Sequence, residues 1–170
     1  MKKLFLILTI LLIVSSVDAK ILKRTKKPLV EIGPKASLYI GSVRFGVGAE
    51  VVFNPLKNIG FRMDLTELSF GDYTQFHLNY VGSFDALITI PMRGLRSMQP
   101  YLHCGFGFNV LGNEETTTTF SIRAGMGINY PWSRTTDLFI EPGIIIYDPG
   151  PGDSETIFRL SVGGRFGILR

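Results

Sequence analysis

The stretch Ser42–Phe53, SVRFGVGAEVVF, alternates without a break. Val43, Phe45, Val47, Ala49, Val51 and Phe53 fall on one side, and Ser42, Arg44, Gly46, Gly48 and Glu50 on the other. Successive strand residues point to opposite faces, so this is a strand with one apolar and one sparse polar face. A soluble sheet puts long charged residues, lysine and glutamate above all, on its wet face. Here the polar face is glycine and arginine, as in the crowded lumen of a small barrel, and the apolar face reads as a lipid-facing wall.

Working outward, the same alternation recurs in eight segments. In the first, Ile32, Pro34, Ala36, Leu38 and Ile40 face out, and Glu31, Gly33, Lys35, Ser37 and Tyr39 face in. Ser42–Phe53 is the second, closed by the turn Asn54–Asn58. The third runs from Ile59, with Arg62, Asp64 and Thr66 inward, and loses phase at Glu67-Leu68, which predicts a bulge or the exit from the bilayer. The fourth spans Phe76–Ile90, with His77, Asn79, Ser83, Asp85 and Thr89 inward, and a basic turn, Pro91–Gln99, follows. Tyr101–Val110 and Phe120–Tyr130 are the fifth and sixth, and place His103, Arg123 and the glycines between them inward and Cys104 outward. Pro131–Thr136 is a turn. Leu138–Tyr147 carries Glu141 inward, Asp148–Asp153 is read as a loop because its prolines and glycines cannot continue a ladder, and Phe158–Ile168 carries Arg159 and Arg165 inward. Each segment approaches the roughly 9–11 residues a tilted strand needs to cross a bilayer. The expected fold is all-β: an eight-stranded antiparallel up-and-down transmembrane barrel.

The ends agree with export. Lys2 and Lys3 precede an apolar run, Leu4–Val14, and small residues follow with a cleavage site expected after Ala19. The domain reading is a signal peptide over 1–19, a basic periplasmic leader over 20–30 and a barrel over 31–170. The chain has 18 basic and 14 acidic side chains, net +4. That balance is too mild to argue for nucleic acid. No later stretch is long and apolar enough to span as a helix, so membrane residence requires a closed barrel, which satisfies every backbone group. Cys104 is the only cysteine, which excludes an internal disulfide, and it reads as a small hydrophobe.

The inward charges are Lys35, Arg44, Arg62, Arg123, Arg159 and Arg165 against Glu31, Glu50, Asp64, Asp85 and Glu141, with His77 and His103 in the same phase. Unpaired charges in a narrow lumen are costly, so these groups are expected to form one ion-paired network. Inward glycines make room for the arginines and tyrosines, and eight strands enclose a space that side chains just fill. The expectation is a plug of paired groups.

The last strand carries the most specific motif. Ser161-Val162-Gly163-Gly164-Arg165-Phe166-Gly167-Ile168 is similar to the barrel-assembly signal, with Ser161, Gly163, Phe166 and Ile168 at its polar, glycine and hydrophobic positions. Over roughly Glu31–Ile168 the chain resembles the small eight-stranded outer-membrane barrels typified by outer membrane protein X and the membrane domain of outer membrane protein A. Such barrels usually finish on an aromatic residue, whereas this chain continues to Leu169-Arg170. The resemblance implies a Gram-negative outer-membrane location, contact with outer-membrane lipids and lipopolysaccharide, handling by the barrel-assembly machinery, and a monomer. No peptidoglycan-binding domain is expected downstream.

Catalytic readings are weak. Some outer-membrane barrels are lipid-modifying enzymes, and the lipid A deacylases place a serine two residues after a histidine. Here His77 is followed by Leu78-Asn79 and His103 by Cys104-Gly105. Both histidines are expected in the lumen network, and no catalytic, cofactor or metal site is assigned. The Gly-x-Gly triplets at Gly46, Gly105 and Gly125 lie mid-strand and open no helix, which excludes a dinucleotide fingerprint. Acidic residues Asp72, Glu114, Glu115, Asp148, Asp153 and Glu155 gather in the loops read as external, and Lys57, Arg93, Arg96 and Arg134 in the opposite turns. Divalent-cation bridging to lipopolysaccharide is conceivable there, but no ligand spacing is present, so plain solvation is the expected role. The leader's Lys20, Lys23, Arg24, Lys26 and Lys27 read as a disordered basic segment rather than a headgroup site. The expected function is structural or surface interaction without catalysis. The alternatives are a narrow channel, a lipid-modifying enzyme, or a soluble lipocalin-like binder with every strand inverted.

Overall fold

Period-two alternation becomes a closed wall in the structure, a computed structural model. It describes residues 27–40, 44–70, 76–80, 82–91, 98–112, 116–150 and 153–169. The signal peptide and most of the basic leader lie outside these residues. The strands are β1 (Val30–Ile40), β2 (Arg44–Phe53), β3 (Ile59–Phe70), β4 (Phe76–Tyr80), β5 (Gly82–Thr89), β6 (Gln99–Gly112), β7 (Thr116–Pro131), β8 (Thr136–Gly150) and β9 (Asp153–Leu169). β4 and β5 are two parts of one wall strand, since β3 pairs with both. Neighbouring wall strands pair antiparallel and β1 pairs with β9, so eight wall strands close into a barrel. This is the up-and-down barrel that the alternation predicts.

The outer face is apolar. Phe53, Phe61, Phe84, Ile122, Phe158, Phe166 and their neighbours point away from the lumen and are exposed. Cys104 shares that face. Phe106 stands between Phe84 and Phe120, with ring centroids 5.9 and 6.1 Å away. Rings in contact across β5, β6 and β7, and exposed large apolar side chains on nearly every strand, are the opposite of a soluble surface.

The two ends differ. One, the turn end, holds the connections 54–58 and 132–135, residues 90, 91 and 98, and both ends of the described chain. Lys27–Leu29, part of the expected leader, is fixed across this end. Leu29 N–H donates to the Leu169 carbonyl at 2.7 Å, Asn54 N–H to the Leu29 carbonyl at 2.7 Å, and Asn54 Nδ2 to the Pro28 carbonyl at 3.0 Å. Among the described residues the other end, the hairpin end, is uneven. β9 has 17 residues and β2 only 10. The last β1–β9 pair is Ile40↔Phe158, so Asp153–Ile157 overhangs with no β1 partner among the described residues.

Of the two readings of the phase loss in β3, the bulge is the one observed: Ala49 pairs with Thr66 but Glu50 with Asp64, so Leu65 is extra and Glu67 turns inward. The loop reading needs correction. Asp148–Asp153 is not wholly a loop. β8 continues to Gly150, which pairs with Asp153, and Pro149 falls within the register shift between Tyr147 and Gly150, where no regular ladder amide is required. Asp148, Asp153 and Glu155 are therefore strand residues, while Asp72, Glu114, Glu115, Arg93 and Arg96 lie outside the described residues.

Candidate functional site

The lumen is where chemistry-bearing side chains converge, and strand parity puts them there. Arg62 on β3 is the hub. Its Nε donates to Asp85 Oδ2 at 2.8 Å, its Nη2 also bonds Asp85, and its Nη1 donates to Glu141 Oε2 at 2.5 Å. Glu50 lies 3.5 Å from the same Nη1. A guanidinium offers five donors in a planar fork, which is why one arginine can hold three carboxylates. Asp64 is the counter-hub: Lys35 Nζ approaches it at 2.6 Å and Arg123 Nη2 at 2.7 Å, with Arg159 Nη1 at 3.9 Å. Arg159 Nη2 also donates to Glu141 at 3.1 Å, joining the two hubs.

Towards the turn end, Arg165 donates to Glu50 at 2.5 Å and to Asn129 Oδ1 at 2.8 Å. Its guanidinium carbon lies 4.2 Å from the Phe139 ring centroid. Asn54 bonds Glu31 at 3.1 Å. Towards the hairpin end, Glu67 takes Lys35 at 3.1 Å and accepts from Ser37 and Tyr39. Buried apolar groups bracket the ionic middle: Val52, Leu87 and Tyr101 on the turn side, and Tyr39, Ile145 and Ile157 on the hairpin side.

The inward glycines accommodate particular partners. A Cβ on Gly125 would stand 2.5 Å from His103 Nε2, and one on Gly143, its cross-strand partner, 3.2 Å away. On Gly127 it would enter the Tyr101 ring, on Gly46 it would meet Glu67, and on Gly163 it would stand 2.7 Å from Phe139. The alternation suggests niches for arginines and tyrosines. The observed occupants at these glycines are tyrosine, histidine, phenylalanine and glutamate, and no arginine side chain is among the nearest atoms.

Most of the residues singled out from the sequence meet here. Glu31, Lys35, Glu50, Arg62, Asp64, Asp85, His103, Arg123, Glu141, Arg159 and Arg165 are all buried in the lumen. Arg44 is a correction: it is only half-buried, because it begins β2 opposite Tyr39 near the rim. His77 lies on β4, but its side chain is not among those described. Of the assembly-signal positions, Ser161 is buried and its hydroxyl shares a 2.9 Å hydrogen bond with that of Ser37. Gly163 faces Phe139, and Phe166 and Ile168 are exposed.

Two carboxylates were missed. Glu67 was hidden by the bulge that reverses parity. Asp137 shares the phase of Phe139 and Glu141, so one further step of alternation would have found it. With both counted, the buried charged set among the described residues is five cations against seven carboxylates, not the near-neutral set expected.

His103 lies within this network, its Nδ1 3.4 Å from Arg62 and its Nε2 3.4 Å from Glu141. Among the described residues no three His, Cys, Asp or Glu side chains are grouped to hold a metal ion.

Closed antiparallel wall, apolar exterior and ion-paired interior together define the fold of the small outer-membrane β-barrels. Solved structures show the same fold. The N-terminal β-barrel domain of Pseudomonas aeruginosa OprF superposes with a TM-score of 0.56 at 14% identity, over 82% of this chain and 98% of that one. Neisserial surface protein A gives 0.57 at 14% identity, over 82% and 96%. A de novo designed transmembrane β-barrel gives 0.53 at 12% identity, over 85% and 99%. No protein-family model and no curated protein matches the chain. A designed barrel among the likenesses underlines that this architecture carries no role by itself.

Proposed function

We propose that the chain is an integral outer-membrane barrel of a Gram-negative envelope, exported through a cleaved signal peptide, with a structural or surface-interaction role and no catalysis. The observation that carries this reading is the filled lumen. Each buried cation among the described residues has a carboxylate within ion-pair distance, and apolar clusters stand at both ends of the ionic middle. A channel needs a continuous hydrated path, and a lipid-modifying site needs its nucleophile or base at the lipid surface. His103, 3% exposed between Arg62 and Glu141, faces neither lipid nor an open cleft. The apolar exterior supports burial in lipid, with the turn end periplasmic and the uneven hairpin end outside.

Surface contact is assigned to the β8–β9 overhang. Ser154, Glu155 and Thr156 are exposed there, and Asp153–Ile157 extends roughly 16 Å past the last β1 pair at about 3.3 Å per residue. The test is reconstitution of the folded chain in planar bilayers beside mass analysis of lipid A from expressing cells. Silent bilayers and unchanged lipid A are expected. Steady unit currents would make it a channel, and a lipid A mass shift would make it an enzyme.

A further inference from the structure

The β8–β9 hairpin is paired to itself without interruption from Thr136↔Phe166 to Tyr147↔Glu155. Its seams with the rest of the wall are not continuous. Between β1 and β9 the pairing passes from Ile32↔Phe166 to Lys35↔Gly163 and skips Gly33 and Pro34. Between β7 and β8 it passes from Gly125↔Gly143 to Ile128↔Ile140 and skips Glu141 and Pro142. Pro34 keeps its partner Ala49 on β2, and Pro142 keeps Leu160 on β9. The amide each proline lacks is therefore missing from the seam.

The facing strand is adapted in the same way at both seams. A Cβ on Gly163 would sit 2.5 Å from the Pro34 carbonyl oxygen, and one on Gly125 would sit 2.6 Å from that of Pro142. One hairpin is thus flanked on each side by a proline carbonyl lying close over an inward glycine. In lipid a missing ladder bond is not replaced by water, so both seams are short of bonds that the hairpin's own ladder has in full.

We infer that β8–β9 parts from the wall as one cooperative unit, its own ladder intact, and that the two proline seams are where it opens. Cooperative units of this kind follow supersecondary boundaries. This goes beyond the proposed surface role, because the same hairpin carries Glu141, Arg159 and Arg165 into the lumen. Displacement of the external overhang is thereby transmitted to the pairs that these residues make with Arg62, Asp64 and Glu50.

Amide hydrogen exchange on the folded full chain in lipid nanodiscs tests this. Amides along the β1–β9 and β7–β8 seams are expected to exchange at least tenfold faster than β8–β9 ladder amides at the same depth. A second measurement uses a disulfide between Ala36→Cys and Val162→Cys, which are register partners across the β1–β9 seam, in a Cys104→Ser background. Closing that bond is expected to slow exchange at the distant β7–β8 seam as well, and reduction is expected to restore it. Seam amides as slow as the ladder, or a cross-link that slows only its own seam, would overturn the inference.

Discussion

Arg62 shows how much of the interior depends on single side chains. It is 1% exposed and bonds Asp85 and Glu141 while lying beside Glu50 and Asp64. Removing one partner of a buried ion pair strands the other charge, at a cost of roughly 3–5 kcal/mol. Arg62→Met is expected to destabilise the barrel by about that amount, read from urea unfolding in lipid vesicles with Trp132, the single tryptophan, as the fluorophore. Arg62→Lys keeps the charge but loses the fork, and is expected to fall between Met and wild type. An unfolding midpoint unchanged in Arg62→Met would remove Arg62 from its place as hub. Parity alone made Arg62, Asp64, Asp85 and Glu141 legible as inward. It did not reveal which acid meets which base. The Arg62–Asp85 contact follows from adjacent-strand register, but Arg62–Glu141 crosses the lumen and depends on the stagger of the whole wall. Glu67 was illegible for a local reason: one extra residue, Leu65, reverses every face after it.

At the scale of strands and hairpins, the last strand serves two purposes that substitution can separate. Gly163 is held by packing, between the Pro34 carbonyl and the Phe139 ring. Gly163→Ala overfills that space and is expected to cost about 1–3 kcal/mol of folded-state stability. Phe166 is exposed and contributes little to the lumen. Phe166→Ala removes a lipid-facing ring, at a cost of up to roughly 1.5–3 kcal/mol, and is expected to lower the amount of barrel inserted in cells by more than that loss accounts for. Comparison of membrane yield with thermal gel-shift midpoints separates the two. Equal yields from the two variants at equal midpoints would refute the division. Strand positions were legible because turns carry Asn-Pro or Pro-Trp signals, as at Asn54-Pro55 and Pro131-Trp132. The β8–β9 connection was not, because its prolines and glycines read as a loop, whereas Gly150 and Asp153 still pair across it.

Taken as a molecule, the barrel is inverted relative to a soluble protein. Ile140, in the middle of β8's outward row, is 46% exposed, while Arg62, Arg123, Arg159 and Arg165 are 0–1% exposed. Burial in lipid makes Ile140→Arg destabilising by about 2–4 kcal/mol, measured by unfolding from vesicles, whereas a water-facing wall would tolerate the change. The sequence was most informative at this level, because a repeated glycine–arginine face opposite an apolar face has few other solutions. It was least informative about role, since an eight-stranded plug is compatible with many external partners. Heat-modifiability is the most direct test of the membrane reading: full-length chain expressed with its own N-terminus in a Gram-negative host, membranes fractionated, and unboiled and boiled samples compared on SDS gels. A faster-migrating unboiled band confined to the outer-membrane fraction is the predicted result. A single band in the soluble periplasm, indifferent to boiling, would contradict it.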